Sequence, residues 1–463
     1  MHVAVAILDD DAYAERMTTT TTIFAVSSGA GRAGVAVLRV SGPAVAEILR
    51  AMVSPVPTVR QVAFRTIRHP VTKQPIDRAV VFWFAAPLSE TGEDVAEFQV
   101  HGGPAIVRAM LDALGSFPTT RLAEPGEFIR RAFEHGKVDL AEVEGLADLV
   151  EAETEGQRRQ ALAQAGGALS RLTESWRSQL IDIAALTEAG IDFSDEGDVS
   201  STALAAARTR AVPLLADIQA HLDDGHRGEI LRDGFRVALL GPPNAGKSSL
   251  LNALAQRDVA IVSDEAGTTR DVIDVRLDLE GLPIIISDTA GMRETAGLVE
   301  REGMRRSLAA ARDANLVLWL SETGDDLPPH EIADRPVLAI HTKADLFEPV
   351  RVSRESKVNG GLAISSTTGA GLDVLLSQLA ERARSTIGVS SQIDAPVVTQ
   401  ARHRHSLELA RVALSSFIER SPLELELRAE DVRRAVYALG RITGRVDVED
   451  VLGQIFSRFC IGK

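Results

Sequence analysis

Cysteine is all but missing. The 463-residue chain has one, Cys460, so it forms no intramolecular disulfide, and such sparing use fits a reducing cytoplasm. No run of apolar residues approaches the length needed to span a bilayer. A secretory leader is not expected either. The N-terminus, MHVAVAILDDDAYAERM, is acidic and lacks the positively charged segment of a secretory signal. Net positive charge is also lacking. At a formal −15 the chain does not coat nucleic acid through bulk charge, and any RNA contact needs a local basic patch or a partner that carries that charge. There is no internal repeat, and no low-complexity tract beyond Thr18–Thr22. Met17 opens a second start, MTTTTTIFAV, and residues 1–17 are expected to be a disordered extension or a start-site artefact.

What is present is the balance of an ordinary globular protein, 45% hydrophobic and 25% charged, with length for roughly two to four domains. The most informative stretch runs from Phe235 to Ser249, FRVALLGPPNAGKSS. Val237–Leu240 is an apolar run of the length of a buried parallel strand. It ends in Gly241, and Gly246-Lys247-Ser248 follows at the G-x-x-x-x-G-K-[ST] spacing. Glycines let the backbone curl so that successive N–H groups converge on a phosphate chain. Lys247 can reach the terminal phosphates, and the Ser248 hydroxyl can hold Mg²⁺. The helix that starts there, through Leu250, Leu251 and Leu254, adds its dipole to the anion site.

Upstream, residues 18–135 read as α+β. Strands are expected at Thr22–Val26, Gly34–Val40 and Ala79–Phe84, a helix near Pro104–Leu114, and turns at GAGRAG (29–34), TGED (91–94) and HGGP (101–104). From Val138 the period becomes helical, with Leu140, Val143, Leu146, Leu149 and Val150 on one face, continuing with interruptions to Ile191. The acidic DFSDEGD at 192–198 reads as a loop, followed by a helix over Leu204–Leu222. Residues 234–386 alternate strands and helices, the pattern of a parallel sheet covered on both faces. Helical patterning returns from Val397 to Phe459. Helices on both sides of an α/β block imply one helical domain with a nucleotide domain inserted into it.

Further residues complete the nucleotide motif set. Asp288-Thr289-Ala290-Gly291 follows the apolar strand Ile284–Ser287. An Asp at that strand end can hold Mg²⁺ through water, and Gly291 can offer its N–H to the γ-phosphate. Between the two motifs lies Gly267-Thr268-Thr269-Arg270-Asp271, where a threonine hydroxyl can complete the metal shell. After the strand Val337–Ile340 comes His341-Thr342-Lys343-Ala344-Asp345, similar to the N/T-K-x-D motif of GTPases, whose Asp accepts hydrogen bonds from guanine N1 and N2. Thr342 stands where Asn is usual. Ser365-Ser366, after Leu362–Ile364, matches the last base-contacting loop. The water-orienting Gln of Ras-like enzymes is replaced by Met292. Asn244 is the candidate to hold a monovalent cation in place of an arginine finger. Glu300, in LVEREG, is the candidate to polarise water, although on spacing alone it reads as a solvated helix carboxylate.

The assembled motifs resemble the MnmE (TrmE) family of tRNA-modifying GTPases, over nearly the whole chain from Thr22. The resemblance rests on GRAGVAVLRVSG (31–42), TGEDVAEFQVHGGP (91–104), EPGEFIRRAF with GKVDL (124–140), GTTRD, DTAG and the terminal Phe459-Cys460-Ile461-Gly462-Lys463. It implies a multidomain α/β protein: an α+β folate-binding-like and dimerising domain at 18–137, a discontinuous helical domain at 138–233 and 387–463, and an inserted P-loop GTPase domain with a mostly parallel sheet at 234–386. By the same resemblance, GTP is bound by Asn244, Ala245, Gly246, Lys247, Ser248, Ser249, Ser263, Asp264, Glu265, Ala266, Gly267, Thr268, Thr269, Asp288, Thr289, Ala290, Gly291, Thr342, Lys343, Asp345, Ser365 and Ser366. Ser248 and Thr269 would ligate Mg²⁺, and Asn244, Ser263, Glu265 and Thr268 would hold K⁺. Glu300 matches the catalytic carboxylate. Arg39, Glu97, Lys137 and Lys463 match the positions that bind a 5-formyl- or methylene-tetrahydrofolate. Cys460 stands as a candidate nucleophile beside the equally frequent alternative of an inert thiol.

The implied activity is GTP hydrolysis coupled to C5 modification of the wobble uridine of certain tRNAs in the cytoplasm. The implied partners are a second copy of the chain, the flavin-dependent MnmG in a heterotetramer or larger complex, and tRNA, with no membrane. A regulatory GTPase in ribosome assembly is the alternative. It calls for a C-terminal RNA module with basic and aromatic residues interleaved. Residues 401–463 instead balance their charges, and Phe417, Tyr437, Phe456 and Phe459 sit in helical patterns expected to face a core.

Overall fold

The computed structural model describes residues 21–29, 31–193, 197–261, 273–288, 308–322, 328–332, 334–346, 357–358, 361–388, 398–421, 424–446, 449–459 and 462. The chain divides into two compact units, residues 1–143 with 447–463 and residues 144–446.

The first unit is built on a six-stranded sheet of β1 (Thr22–Val26), β2 (Ala33–Ser41), β3 (Ala63–Arg68), β4 (Pro75–Phe84), β5 (Val95–Gly102) and β6 (Thr120–Leu122), in the order β3-β4-β5-β2-β1-β6. All neighbours are antiparallel except β1 and β6. Helix α1 (Val45–Met52) buries Val45, Ile48, Leu49 and Met52, one stripe at helical spacing. With α2 (Pro104–Gly115) it covers one face of the sheet, against Leu38, Val40, Ile67, Val81 and Phe98. Helix α3 (Glu127–Glu134) follows, and α4 (Leu140–Glu151) leads out of the unit. Two of the expected turns are shorter than their motifs. Strand β2 begins at Ala33 and β5 runs through His101 to Gly102, because ladder pairing of Ala33 with Gly102 extends both strands into the glycine-rich segments.

In the second unit, α5 (Glu155–Ala165), α6 (Ala168–Asp192), α7 (Gly197–Leu222) and α8 (Arg227–Asp233) precede β7 (Phe235–Leu240). Helix α7 starts at Gly197, inside the segment read as a loop. Its first turn is polar and so carries no apolar period, but Asp198 suits a helix N-terminus and the Ser200 hydroxyl ties the turn to the Gly190 carbonyl at 2.7 Å. Then come α9 (Lys247–Ala255), β8 (Ile273–Leu279), β9 (Leu282–Asp288), β10 (Leu316–Ser321), β11 (Val337–His341), β12 (Lys357–Val358), β13 (Gly361–Ala363) and α10 (Leu372–Ile387). The sheet order is β12-β13-β11-β10-β7-β9-β8. The strands from β13 to β9 are parallel, and β8 and β12 close the two edges antiparallel. Both faces are covered. Along β7, Val237 and Leu239 enter one apolar cluster while Ala238 and Leu240 enter the other, so the strand reads as a continuous apolar run.

Helices α11 (Ala401–Glu419) and α12 (Leu425–Thr443) return to pack with α6 and α7. On α11 the buried residues include His403, Leu407, Ala410, Leu414 and Phe417, whereas Leu409 and Val412 face outward. The Glu144 carboxylate ties the two sequence-distant sets of helices together. It accepts from Arg402 Nε and Nη2 at 2.5 and 2.6 Å and from His403 Nε2 at 2.8 Å. Burial raises its pKa, but His403 and Arg402 outweigh that and hold it well below the ordinary carboxylate range. Tyr437 is exposed, contrary to the expected core position: it shares its turn with Arg433 and Arg434, on the outer face of α12.

Helix α13 (Glu449–Ser457) belongs to the first unit. Phe456 packs against Phe133 with ring centroids 6.3 Å apart, and the Ser27 hydroxyl donates to the Gly462 carbonyl at 2.8 Å. A Cβ at Gly126 would lie 2.3 Å from the Phe456 carbonyl oxygen, so this close approach requires glycine in the EPGEF motif.

Candidate functional site

The phosphate loop leaves β7 at Gly241, whose φ is +153° and where a Cβ would lie 2.2 Å from the Leu320 carbonyl oxygen. Asn244 and Gly246 take φ of +63° and +89°, turning the chain so that α9 begins at Lys247 with its N-terminus toward the loop. Lys247 Nζ donates to the Gly241 and Pro242 carbonyls, each at 2.9 Å, which holds the ammonium across the loop. Ser248 Oγ donates to Asp288 Oδ2 at 2.9 Å. Register places Asp288 beside Leu239 at the C-terminal end of the sheet, where open α/β sheets bind their ligands. A hydroxyl and a carboxylate within hydrogen-bond reach are hard oxygen donors, and they fit Mg²⁺.

The residues expected from the sequence to contact the base come from the ends of β11 and β13. Thr342 is buried, and its hydroxyl donates to the Ala245 carbonyl at 2.8 Å. Lys343 has φ +57°, and its ammonium pairs with Glu322. The Ser365 hydroxyl donates to the Asp345 carboxylate and accepts from the Thr368 amide at 3.1 Å, while the Ala344 amide donates to Ile364 O at 3.0 Å. Asn244, Ser249 and Ser248 are exposed, Ala245 is buried and Ser366 is half-buried. The structure thus gathers Lys247, Ser248, Asp288, Thr342, Asp345 and Ser365 at one edge of one sheet. Ser263, Asp264, Glu265, Ala266, Gly267, Thr268, Thr269, Thr289, Ala290, Gly291, Met292 and Glu300 lie outside the described residues.

In the first unit Arg39 and Glu97 face each other across β2 and β5, with Arg39 Nη2 3.0 Å from Glu97 Oε1. Arg39 Nη1 also reaches Glu90 at 2.9 Å, and the guanidinium lies 5.8 Å from the centroid of the Phe128 ring. Lys137 is exposed, with its stem beside Gly92. Cys460 and Lys463 lie outside the described residues.

Sequence reasoning missed the polar network below this pair. Arg131 donates from Nη1 to Glu93 at 2.9 Å and from Nη2 to Glu127 at 3.1 Å. The Ser41 hydroxyl joins it through Glu93 at 2.7 Å, and Arg121 pairs with Glu127 at 2.6 Å. Burial pushes the Glu127 carboxyl up, but Arg121, the Glu124 amide and Arg131 outweigh it and hold the pKa at about 2. EPGEFIRRAF carried the signal: charged residues inside a helix that has to be buried.

Two family models match the chain. One, described as the GTP-binding protein TrmE N-terminus, covers residues 22–137, and the other, the MnmE helical domain, covers residues 140–460. Among similar proteins, the tRNA modification GTPase MnmE of Beijerinckia indica is 49% identical over 443 residues, covering 96% of each chain. That of Parvibaculum lavamentivorans is 50% identical over 447 residues, covering 96% of this chain and 100% of its own. That of Rhodospirillum rubrum is 48% identical over 461 residues, with the same coverage. With these matches over nearly its whole length, and a phosphate loop on a parallel sheet, the chain belongs to the MnmE family of tRNA modification GTPases.

Proposed function

We propose that GTP hydrolysis by this enzyme is coupled to addition of an aminomethyl or carboxymethylaminomethyl group at C5 of the wobble uridine of certain tRNAs. The convergence of Lys247, Ser248 and Asp288 with Asp345 and Ser365 carries the reading. Phosphate and metal recognition lie beside a carboxylate suited to the guanine N1 and N2 donors. When bound, Mg²⁺ supplies charge stabilisation at the β- and γ-phosphates. Ser248 would hold it, with Thr269 completing the shell, and Asp288 would accept from its water. Asn244, with Ser263, Glu265 and Thr268, would hold K⁺, and Glu300 would orient the attacking water where Met292 has no polar group.

The Arg39–Glu97 pair supplies both donors and acceptors, as a pterin ring requires, and Lys137 and Lys463 would meet the carboxylates of a tetrahydrofolate derivative. That cofactor supplies the one-carbon unit when bound. Residues 18–137 would form the folate-binding and dimerising domain, residues 138–233 with 387–463 the helical domain, and residues 234–386 the GTPase domain. The working form would be a homodimer joined by the flavin-dependent MnmG in the cytoplasm. No described helix is long and apolar enough to cross a membrane.

Mass spectrometry of tRNA nucleosides tests the reading. Deleting the gene is expected to remove C5-modified wobble uridines, restored by the intact gene and not by Lys247→Ala. An unchanged nucleoside profile on deletion overturns it, and a role in ribosome assembly then becomes the reading to test.

A further inference from the structure

The β8–β9 hairpin carries a contact that the nucleotide site does not require. Its turn is Glu280-Gly281, with Leu279 paired to Leu282 and both turn residues at positive φ, +58° and +83°, the two-residue geometry that suits strand twist. The Gly281 amide donates to Asp278 Oδ1 at 2.7 Å and closes the turn. The turn meets the first turn of α5. Thr154 and Gln157 form a capping box there, and one amide of that turn, Gly156 N, donates instead to the Gly281 carbonyl at 2.9 Å. The first amides of a helix have no partner within it, so the hairpin completes the cap of α5.

Sterics specify this approach. A Cβ at position 156 would lie 2.6 Å from the Gly281 carbonyl oxygen and 3.1 Å from Leu231 Cδ1. Charge reinforces it: Arg276 of β8 donates to Glu153 at 2.9 Å. Gln157 and Gln160 of the same helix donate to the carbonyls of Arg232 and Gly228 at 2.9 and 3.1 Å, so α5 is also bound to the helix that leads into β7. The opposite end of β9 is Asp288, the partner of Ser248. Between the two ends Leu282, Ile284 and Ile286 are buried in the sheet core, and a packed strand does not absorb a displacement internally.

We propose that the first turn of α5 and the β8–β9 turn form a coupling joint, through which guanine nucleotide and Mg²⁺ at Ser248 and Asp288 bias the helical part of the chain. Gly156, Gly281, Glu153 and Arg276 are its positioning residues. The proposal rests on the GTPase reading. Ser248, on holding Mg²⁺, would release Asp288, so β9 would have different end contacts with and without the nucleotide. A difference in free energy between those two states at one end of the strand is the requirement for coupling.

Hydrogen exchange on the full-length chain, without nucleotide and with GDP–Mg²⁺ or GMPPNP–Mg²⁺, tests the joint. In the unaltered protein, nucleotide is expected to change protection at residues 153–160 as well as at 241–249. In Gly156→Ala the response at 153–160 is lost and that at 241–249 is kept. Glu153→Gln, which leaves the backbone contact intact, reduces the response at 153–160 and keeps the proposal testable if Gly156→Ala does not fold. A response confined to 241–249 in the unaltered protein, or an undiminished response at 153–160 in Gly156→Ala, overturns the joint alone. Absence of GDP binding by calorimetry overturns the GTPase reading, and the joint with it.

Discussion

The Thr342 hydroxyl donates to the Ala245 carbonyl at 2.8 Å, joining the loop after β11 to the phosphate loop through a buried bond. Threonine in place of the usual asparagine suggests a lost contact when only the sequence is read. The structure assigns its hydroxyl to the loop backbone instead. Thr342→Val keeps the shape and removes the donor, leaving a buried acceptor unpaired at about 1–2 kcal/mol. GDP affinity is expected to fall roughly tenfold, while Thr342→Ser stays near the unaltered value. Titration calorimetry checks both, and equal affinity in Thr342→Val excludes a role for this bond in nucleotide binding.

Asp345 is the residue proposed to set the choice of base. Its carboxylate is oriented by the Ser365 hydroxyl and offers acceptors only, which suits the N1 and N2 donors of guanine. Asp345→Asn introduces an amide donor, which suits the C2 carbonyl of xanthine. The variant is expected to lose GTP hydrolysis at low nucleotide concentration and to gain hydrolysis of xanthosine triphosphate. A preserved preference for GTP would show that the base is read elsewhere.

Met292 has no group that orients water, so the chemical step needs another source of order and charge. If K⁺ is held at Asn244 as proposed, hydrolysis is expected to be much faster in K⁺ than in Na⁺ of equal ionic strength. Glu300→Ala is expected to reduce kcat while GTP affinity stays nearly constant, as for a group that acts in the transition state. Equal turnover in the two salts, or a normal rate in Glu300→Ala, removes the corresponding role.

The nucleotide half of the site was legible because its chemistry sits at strand ends, where apolar runs such as Val237–Leu240 stop against glycine. The strands β3, β5 and β8 were harder to read. The Glu280-Gly281 turn between β8 and β9 has Glu, not Asn or Asp, at the first of its two positive-φ positions, so the hairpin lacks the usual Asn-Gly signal. Helix α3 was hidden for a different reason. Its apolar stripe is short, Phe128, Ile129, Ala132 and Phe133, and it buries Glu127 and Arg131 beside them, charges that in the sequence read as a solvated face. Pairings between distant segments, such as Gly156 with Gly281 or Glu144 with Arg402, have no local signature, because each residue alone reads as a helix glycine or a surface charge.

Glu127 gives the first unit a stability that depends on pH. Its pKa is held at about 2 in the folded chain against an ordinary value of 4.5. A group depressed in this way stabilises the fold fully above the ordinary value, and the contribution fades as pH falls from about 4.5 toward about 2, reaching at most about 3 kcal/mol. Glu127→Gln removes the charge and leaves the buried Arg131 with Glu93 alone, so at neutral pH the variant is expected to be about 2–4 kcal/mol less stable. Urea denaturation of the full-length chain at several pH values between about 7 and about 3 separates this from a packing loss. If the ion pairs are responsible, the gap between the unaltered protein and the variant narrows in acid, because below about pH 4.5 the unfolded chain takes up a proton at Glu127 while the folded chain, with its pKa held at about 2, does not. A gap that stays constant across that range would assign the loss to shape alone and exclude the charge network as its cause.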